Sequence, residues 1–247
     1  MQVRVFSLAE RPGLLERLAD FGPVWPEFMR QDPLGGFIYG RETAWADFVL
    51  VAVDAADQVV ARLCTVPFTW AGDPARELPD GGWDAVLLQA ATDQLAGVRG
   101  NVVSALEIGI VPQYRGRGLA PVLLAAMRDH VRRLGFTDLV APVRPNGKHA
   151  YPHETMADYL ERRRPDGLAQ DPWLRVHQRL GGVVVQVAPF SMVIAGTLAQ
   201  WRAWTGLPFD HSGPVVVPEA LVPVQCDVAA GIATYVEPNV WVCHRLG

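Results

Sequence analysis

A short turn rich in glycine and arginine, residues 115–118, separates two apolar stretches of the chain. Where such a turn leads into a helix, the first backbone amides of the helix lack internal acceptors and lie at the positive end of the helix dipole, so they bind phosphate groups. Gly116 and Gly118 allow a ligand to approach the backbone because they carry no Cβ atom. Arg115 and Arg117 add charges that pair well with phosphate oxygens. The turn therefore predicts a diphosphate site.

The stretches on either side of the turn predict a strand and a helix. Residues 102–111 are continuously apolar and rich in Val and Ile, which is typical of a buried central strand, and Pro112 ends the run. From 118 to 134 the apolar residues recur at intervals of three and four, which predicts an amphipathic helix. Pro121 has no amide hydrogen and is tolerated only in a first helical turn, so the free amides fall on residues 116–120.

Other glycine-rich phosphate sites fit this segment less well. A Rossmann fingerprint needs G-x-G-x-x-G, but Pro121 occupies the third glycine position and no acidic residue for a ribose ends the next strand. A P-loop needs Gly-Lys followed by Ser or Thr, which does not occur here. The alternative to a phosphate site is a tight turn between strand and helix that has exposed arginines and binds no ligand.

The segment resembles the acyl-CoA-binding motif of the GNAT N-acetyltransferase superfamily, Arg/Gln-x-x-Gly-x-Gly/Ala. Two registers match its letters, residues 113–118 and residues 115–120. The second keeps the family's spacing from the preceding strand and leaves Pro121 within the first helical turn, so we prefer it. The resemblance implies a GNAT acyl-CoA N-acyltransferase fold, in which an α/β arrangement surrounds a mixed sheet.

The resemblance also implies which residues contact the co-substrate, an acetyl-CoA or another acyl-CoA. The diphosphate of coenzyme A would bind the turn, composed of Arg115, Gly116, Arg117, Gly118, Leu119 and Ala120. The pantetheine arm would run along the preceding strand and bond the backbone of Ile108, Gly109 and Ile110. The family also uses an asparagine shortly after the next strand, and Asn146 matches that position. A turn asparagine in Pro-Asn-Gly is an equally good interpretation of Asn146.

Glu107 is the candidate catalytic base. It lies in an otherwise apolar strand, where burying a carboxylate costs free energy, and such residues are common at functional sites. Some members of the family keep a catalytic glutamate on this strand. If Glu107 instead bonds a nearby arginine or points to a solvated edge, it is structural. Transfer of the amine proton through water would need no such residue.

His177 is the candidate general acid. The segment 176–182 resembles the end of the family's core, where a tyrosine commonly protonates the departing thiolate, and His177 replaces that tyrosine. A histidine can also donate a proton near neutral pH. A surface histidine or a satisfied core histidine is the alternative.

The spacing between Asn146 and His177 is longer than the family's, which predicts an insertion over about 147–172. This insertion offers side chains for an acceptor pocket, namely Tyr151, His153, Glu154, Tyr159 and Asp166.

Hydrophobic patterns elsewhere predict further strands and helices around this core. We expect strands over 2–8, 48–53, 58–70, 137–143, 183–187 and 192–195, and helices over 13–21, 83–96, 198–204 and a short one ending at 180. The order strand, helix, strand from 102 to 143 predicts a parallel crossover. We expect residues 1–196 to form the acyltransferase domain and 197–247 a β-rich C-terminal extension packed on it.

Composition excludes several classes of protein. Half of the 247 residues are apolar and 19% are charged, which is typical of a globular protein with a substantial core. The net charge of -4 argues against nucleic acid as a partner. We expect no membrane segment, because the sequence has no apolar run of the required length.

Cysteine and histidine spacing argues against a metal site. Three cysteines lie far apart in the chain: Cys64, Cys226 and Cys243. Their number and spacing fit neither a disulfide framework nor zinc, and they favour the cytoplasm. His149 and His153 lie near Glu154, but Pro152 breaks the helical spacing that a metal site on a helix needs. We therefore expect no metal.

Together the motif and the resemblance imply an acyltransferase. The expected reaction moves an acetyl or other short acyl group from acyl-CoA to the amine of a small molecule by direct attack. Aromatic residues over 25–39, with Trp45, favour a small, partly apolar acceptor. A non-catalytic acyl-CoA-binding sensor or scaffold is the alternative, and acyl hydrolysis or decarboxylation is a third. The sequence leaves open whether the protein is a homodimer.

Overall fold

A computed structural model describes residues 1–18, 21–22 and 24–247. The strands are β1 Arg4–Ser7, β2 Val49–Val53, β3 Val59–Phe68, β4 Val102–Ile110, β5 Asp138–Val143, β6 Val183–Thr197, β7 Gly213–Val215, β8 Val224–Asp227 and β9 Ile232–Arg245. The α-helices are α1 Leu14–Leu18, α2 Gly82–Leu95, α3 Leu119–Arg133, α4 Met156–Leu160, α5 Pro172–Arg179 and α6 Leu198–Thr205.

The strands join into a single mixed sheet. Its order is β1-β2-β3-β4-β5-β9-β8-β7, and β6 pairs with β9 off this path. Neighbouring strands are antiparallel except β4 and β5, which are parallel and connected through α3. The predicted strand, helix, strand crossover is therefore confirmed, and so is the mixed α/β fold class.

The two faces of the sheet bury two separate apolar clusters. In β2, Val49, Val51 and Val53 belong to one cluster, while Leu50 and Ala52 belong to the other. This alternation follows from the pleat, which directs successive side chains to opposite faces. Helix α2 covers the first face and α3 the second, so the sheet is enclosed on both sides where the predicted motif lies.

Strands β4 and β5 separate soon after they start. They pair only at Val103 with Leu139 and Ser104 with Val140. Beyond these positions β4 continues to Ile110 while β5 diverges from it. The two strands no longer bond each other there, so among the described residues their facing backbone groups can bond other molecules. The separation opens a cleft beside the start of α3.

Three predicted elements differ from the observed ones. The two strands expected at 183–187 and 192–195 are one strand, β6, whose pairing with β9 is irregular between Ala188 and Met192. The insertion predicted over about 147–172, in which no helix was expected, contains α4. Of the helix predicted over 13–21, α1 covers Leu14–Leu18, and Ala19 and Asp20 lie outside the described residues.

The C-terminal segment contributes a strand to the interior of the sheet. Strand β9 pairs with β5 on one side and with β6 on the other. The boundary that we expect after residue 196 falls at the last residue of β6, and it separates β6 from β9, the strand that pairs with it. Helix α6 and strands β7 and β8 lie outside the central part of the sheet, as an extension would, whereas β9 does not. The division into domains stays a prediction.

Within the described ranges, no helix combines the length and the apolar character needed to cross a membrane.

Candidate active site

The cleft between β4 and β5 has a volume of about 1260 Å³. Its walls come from both strands, the start of α3, the segment 24–39 and the middle of β9. All of the residues that we predicted for the site line the cleft except Arg117. Those that line it are Glu107, Ile108, Gly109, Ile110, Arg115, Gly116, Gly118, Leu119, Ala120, Asn146 and His177.

The turn before α3 has the conformation that its glycines predict. Gly116 and Gly118 have φ angles of 73° and 71°, in the left-handed region that favours glycine. Helix α3 begins at Leu119, so Pro121 is its third residue, as the register 115–120 requires. Among the described residues, the amides of Gly116 and Gly118 have no protein acceptor. They are available to an anion.

The two arginines of the turn lie in different environments. The Arg115 side chain donates from Nε to the carbonyl oxygen of Ile110 over 3.1 Å, which holds it beside the end of β4. The guanidinium of Arg117 lies 5.4 Å from the centre of the Tyr114 ring and does not line the cleft. Arg115 is therefore the better placed of the two for a phosphate.

The backbone of β4 presents alternate amides to the cleft. The amide of Val111 donates to the carbonyl oxygen of Val60, on the β3 side. Since backbone groups alternate between the two edges of a strand, the amides of Ile108 and Ile110 face the cleft. The β3–β4 register also shifts at Leu106, whose carbonyl oxygen accepts a bond of 3.3 Å from Trp83 Nε1. Such bulges occur frequently beside active sites.

Glu107 lies at the centre of a hydrogen-bonded cluster. Its buried carboxylate accepts bonds from Trp25 Nε1 at 2.7 Å and Tyr39 Oη at 2.8 Å. Arg62 donates to both of its oxygens, from Nε at 2.8 Å and from NH2 at 3.3 Å. We expected a bond to an arginine if the role of Glu107 is structural, and the bond to Arg62 fits that interpretation. Glu107 nevertheless lines the cleft, and a Cβ atom at Gly109 would lie 3.0 Å from Oε1. Its catalytic role stays a prediction.

His177 forms a buried pair with His244. Nδ1 of His177 and Nε2 of His244 are 2.9 Å apart. Within the described part of the chain, the outer nitrogens, Nε2 of His177 and Nδ1 of His244, are buried without a partner. Burial, with a smaller contribution from His244, lowers the pKa of His177 to about 3. The ring is therefore neutral at neutral pH and carries one N–H group, on Nε2 when Nδ1 accepts from His244, in place of the imidazolium that a histidine acid normally provides.

This pair leads to a prediction about acid stability. Burial also lowers the pKa of His244 to about 4, against 6.5 for an unperturbed histidine. Between these values the unfolded chain binds more protons than the folded one, so the free energy of unfolding should fall as the pH falls from 6.5 towards 4. The slope is about 1.4 kcal/mol per pH unit for each histidine.

Urea unfolding between pH 7.5 and 4.5 measures this slope. The double variant His177→Gln, His244→Gln provides the control, because subtracting its slope from that of the natural chain removes the contribution of the carboxyl groups. An identical slope in both proteins would contradict the assignment of two neutral buried rings.

The sequence analysis missed an acidic group on the opposite wall of the cleft. Glu237 on β9 is fully buried and accepts bonds from Arg144 Nε at 2.9 Å and Tyr235 Oη at 2.7 Å. Asn239 donates to its other oxygen at 2.9 Å. The signal was present, since Glu237 interrupts an apolar strand just as Glu107 does. Asp32 also lines the cleft, and no pattern in the residues around it predicts this position.

The insertion supports α5, and of its described residues His149 lines the cleft. Lys148 is fully buried and donates from Nζ to the carbonyl oxygens of Tyr151, at 2.7 Å, and Leu221, at 2.8 Å. Asp171 caps α5 and accepts a bond of 3.0 Å from Tyr159 Oη. The suggested pocket residues of the insertion are absent from the lining of the cleft in the part of the chain described: Tyr151, His153, Glu154, Tyr159 and Asp166.

Across the described ranges, no three His, Cys, Asp or Glu side chains come together in a way that could hold a metal ion.

Comparison with known proteins identifies the family. No family model matches the chain. The arginine N-acetyltransferase avaD of Aspergillus versicolor is 34% identical over 272 aligned positions, which cover 97% of this chain and 93% of that protein. The chain belongs to the GNAT superfamily of acyltransferases.

Two solved structures share the GNAT fold. The loading GNATL domain of CurA from Lyngbya majuscula matches with a TM-score of 0.63 and 18% identity, over 100% of this chain and 98% of that one. The GphF GNAT-like decarboxylase in complex with isobutyryl-CoA has a TM-score of 0.56 and 18% identity, with full coverage of both chains. These similarities confirm the predicted fold.

Membership in the GNAT superfamily confirms the predicted class of activity. The protein is an acyl-CoA-dependent N-acyltransferase, which moves an acyl group to an amine. The relative is an enzyme, so the alternative of a non-catalytic acyl-CoA-binding module is not favoured.

Proposed function

We propose that this enzyme transfers an acetyl group from acetyl-CoA to an amine of arginine or of another small molecule that carries a guanidinium group. One observation carries the proposal: the free amides near Gly118 and the buried carboxyl groups of Glu107, Glu237 and Asp32 line the same cleft. Glu107 and Glu237 are each paired with an arginine, so the negative charge for a cationic acceptor would come mainly from Asp32, and the free amides would attract the anionic co-substrate. The similarity to an arginine N-acetyltransferase supports the same acceptor class.

In this proposal the turn and β4 hold the co-substrate. The diphosphate binds the amides of residues 116–120 and the side chain of Arg115, and Arg117 contributes charge from outside the cleft. The pantetheine arm bonds the backbone of β4 along residues 108–110, and Asn146 contacts the arm from the other side. The thioester then lies near Leu106, where the strand bulges. The amides that face the cleft there are donors for the carbonyl oxygen of the thioester.

Acyl transfer forms a C–N bond and breaks the C–S bond of the thioester. The attacking amine must lose a proton, and we assign this proton to Glu107, either directly or through a water molecule. The thiolate that leaves must gain a proton. We assign His177 to this end of the cleft, where its neutral N–H stabilises the thiolate before a proton arrives from solvent.

The cysteines support a location for the enzyme. Cys64, Cys226 and Cys243 are all free and buried. Because cytosolic reductants keep such thiols reduced, we propose that the protein is cytoplasmic.

A thiol-release assay with acetyl-CoA tests the acceptor class. We expect saturable release of coenzyme A with arginine and with agmatine, and much weaker release with tryptamine, which carries no guanidinium. A reaction without amine corrects for hydrolysis of the thioester. Efficient turnover of tryptamine together with no turnover of either guanidino compound would refute the proposal.

A further inference from the structure

Asp32 and Asp84 bring two carboxyl groups together from separate parts of the chain. Asp32 follows the 3-10 turn Glu27–Gln31 and lines the cleft, and Asp84 lies in the first turn of α2. The two groups are close enough to share a hydrogen bond when one is protonated. Neither belongs to the motif that binds the co-substrate, so their proximity needs a separate explanation.

One oxygen of each carboxyl group is satisfied by the backbone. Asp32 Oδ1 accepts a bond of 2.8 Å from the Leu34 amide, and Asp84 Oδ2 one of 3.0 Å from the Val193 amide. The other two oxygens, Asp32 Oδ2 and Asp84 Oδ1, are buried without a partner among the described residues. Asp32 is only 8% exposed, yet it lines the cleft. A proton shared between the two groups can satisfy these oxygens. Once that proton leaves, a buried acceptor without a donor costs free energy, so a ligand that donates to Asp32 Oδ2 would then bind favourably.

The electrostatic environment of the pair favours a cation. Burial raises the pKa of Asp32, and burial and the neighbouring Asp32 raise that of Asp84 to about 8. Glu237 adds a third carboxyl group nearby. Arg144 bonds Glu237 and not the Asp32–Asp84 pair. Arg30 lines the cleft too, but it is half-exposed and pairs with Glu27. The pair therefore holds a proton in the free enzyme, which an incoming cation would displace.

The arrangement suits a guanidinium group better than a metal ion. A guanidinium has five N–H donors in a rigid plane, so it can bond the Asp32 carboxylate and still donate to other acceptors in the cleft. A metal would need more ligands than these two, and no cluster of three or more ligating side chains occurs in the ranges described.

We propose that Asp32, which lines the cleft, binds the guanidinium group of the acceptor, and that Asp84, which lies beside Asp32 but outside the lining, adds negative charge to this subsite. This inference rests on the proposed function. Glu237 supports the subsite electrostatically, but its oxygens are already occupied by Arg144, Tyr235 and Asn239.

Citrulline provides a probe for this subsite, because it has the length of arginine and a neutral ureido group in place of the guanidinium. The preference for arginine over citrulline, measured as the ratio of kcat/KM values with acetyl-CoA, should fall about thirtyfold in Asp32→Asn and in Asp84→Asn. The loss should come mainly from a higher KM for arginine. An unchanged ratio in both variants would overturn the proposal.

Asp93→Asn is the matched control. Asp93 is a buried carboxyl group on the same helix as Asp84, but both of its oxygens have protein donors, the Thr69 amide and the Gln89 side chain. This variant should keep the natural preference for arginine. A comparable fall in the Asp93 variant would attribute the effect to loss of a buried acid in general and overturn the proposal.

Calorimetric titration of arginine into the enzyme separates this inference from the proposed reaction. Arginine should bind the natural chain and should bind the variant Asp32→Asn, Asp84→Asn at least tenfold more weakly, whether or not acetylation follows. Binding that depends on the two acids, without acetylation, would refute the proposed function and support the subsite. Equal affinity in both proteins, or no binding to either, would refute the subsite.

Discussion

Gly118→Glu should raise the KM for acetyl-CoA about a hundredfold or more. The substitution places a carboxylate at the N-terminus of α3, beside the amides proposed to bind the diphosphate. At an effective dielectric constant of about 20, two like charges about 6 Å apart repel each other by roughly 2.8 kcal/mol, which corresponds to about a hundredfold in affinity. Steady-state kinetics with varied acetyl-CoA and a saturating acceptor measure the effect.

Gly135→Glu controls for the strain of this substitution. Gly135 follows the other end of α3 and has a φ angle of 87°, and a Cβ atom added there would meet no other atom within 4 Å, as is also the case at Gly118. Each variant should lose about 1–2 kcal/mol of unfolding free energy from the left-handed conformation. The 15 residues of α3 separate the two sites by about 22 Å, well beyond the screening length in physiological salt. An equal rise in KM in both variants would contradict the diphosphate site.

Glu107→Gln should lower kcat by about 10²- to 10⁴-fold while leaving the KM for acetyl-CoA nearly unchanged. This is the range expected when a positioned proton acceptor is lost. Glutamine has the same shape and keeps an oxygen for the Trp25 and Tyr39 donors. It removes the charge opposite Arg62, and breaking a buried ion pair costs about 3–5 kcal/mol, so thermal unfolding must accompany the kinetics.

Arg62→Lys distinguishes proton transfer from a structural role. Lysine keeps the positive charge but loses the two-point contact with Glu107, so it disturbs the same cluster and leaves the carboxylate in place. If Glu107 acts as a base, kcat should fall far less in Arg62→Lys than in Glu107→Gln. Equal losses in the two variants would show that Glu107 matters only as the partner of Arg62.

The part of the site that was predictable from sequence is the part built from local geometry. The turn at 115–120, the strand before it and the helix after it form one continuous segment, and Pro121 restricts where the helix can begin. Every group that we propose to bind the diphosphate comes from that segment. A pattern of neighbouring residues was therefore enough to predict the conformation.

The acceptor side of the cleft could not be predicted in the same way. Arg62 lies 45 positions from Glu107, and Tyr39 lies 68 positions from it, so their bonds depend on strand pairing and loop packing. Asp32 and Asp84 come from separate segments, and the contact of the 3-10 turn Gly35–Phe37 with α2 brings these segments together. Glu237 was detectable as a charge in an apolar strand, but its position on the cleft required knowing that β9 lies next to β5.

Strand β9 is made after every other strand of the sheet, although it occupies the sheet's interior. While the nascent chain is still on the ribosome, β5 and β6 are therefore complete but each lacks its shared neighbour. Unpaired strand edges of this kind associate readily with other chains, so this interval is when aggregation threatens the protein most. Glu237 and Asn239, which line the cleft, belong to β9. A small molecule that binds these residues can therefore stabilise the enzyme only after β9 has been synthesised.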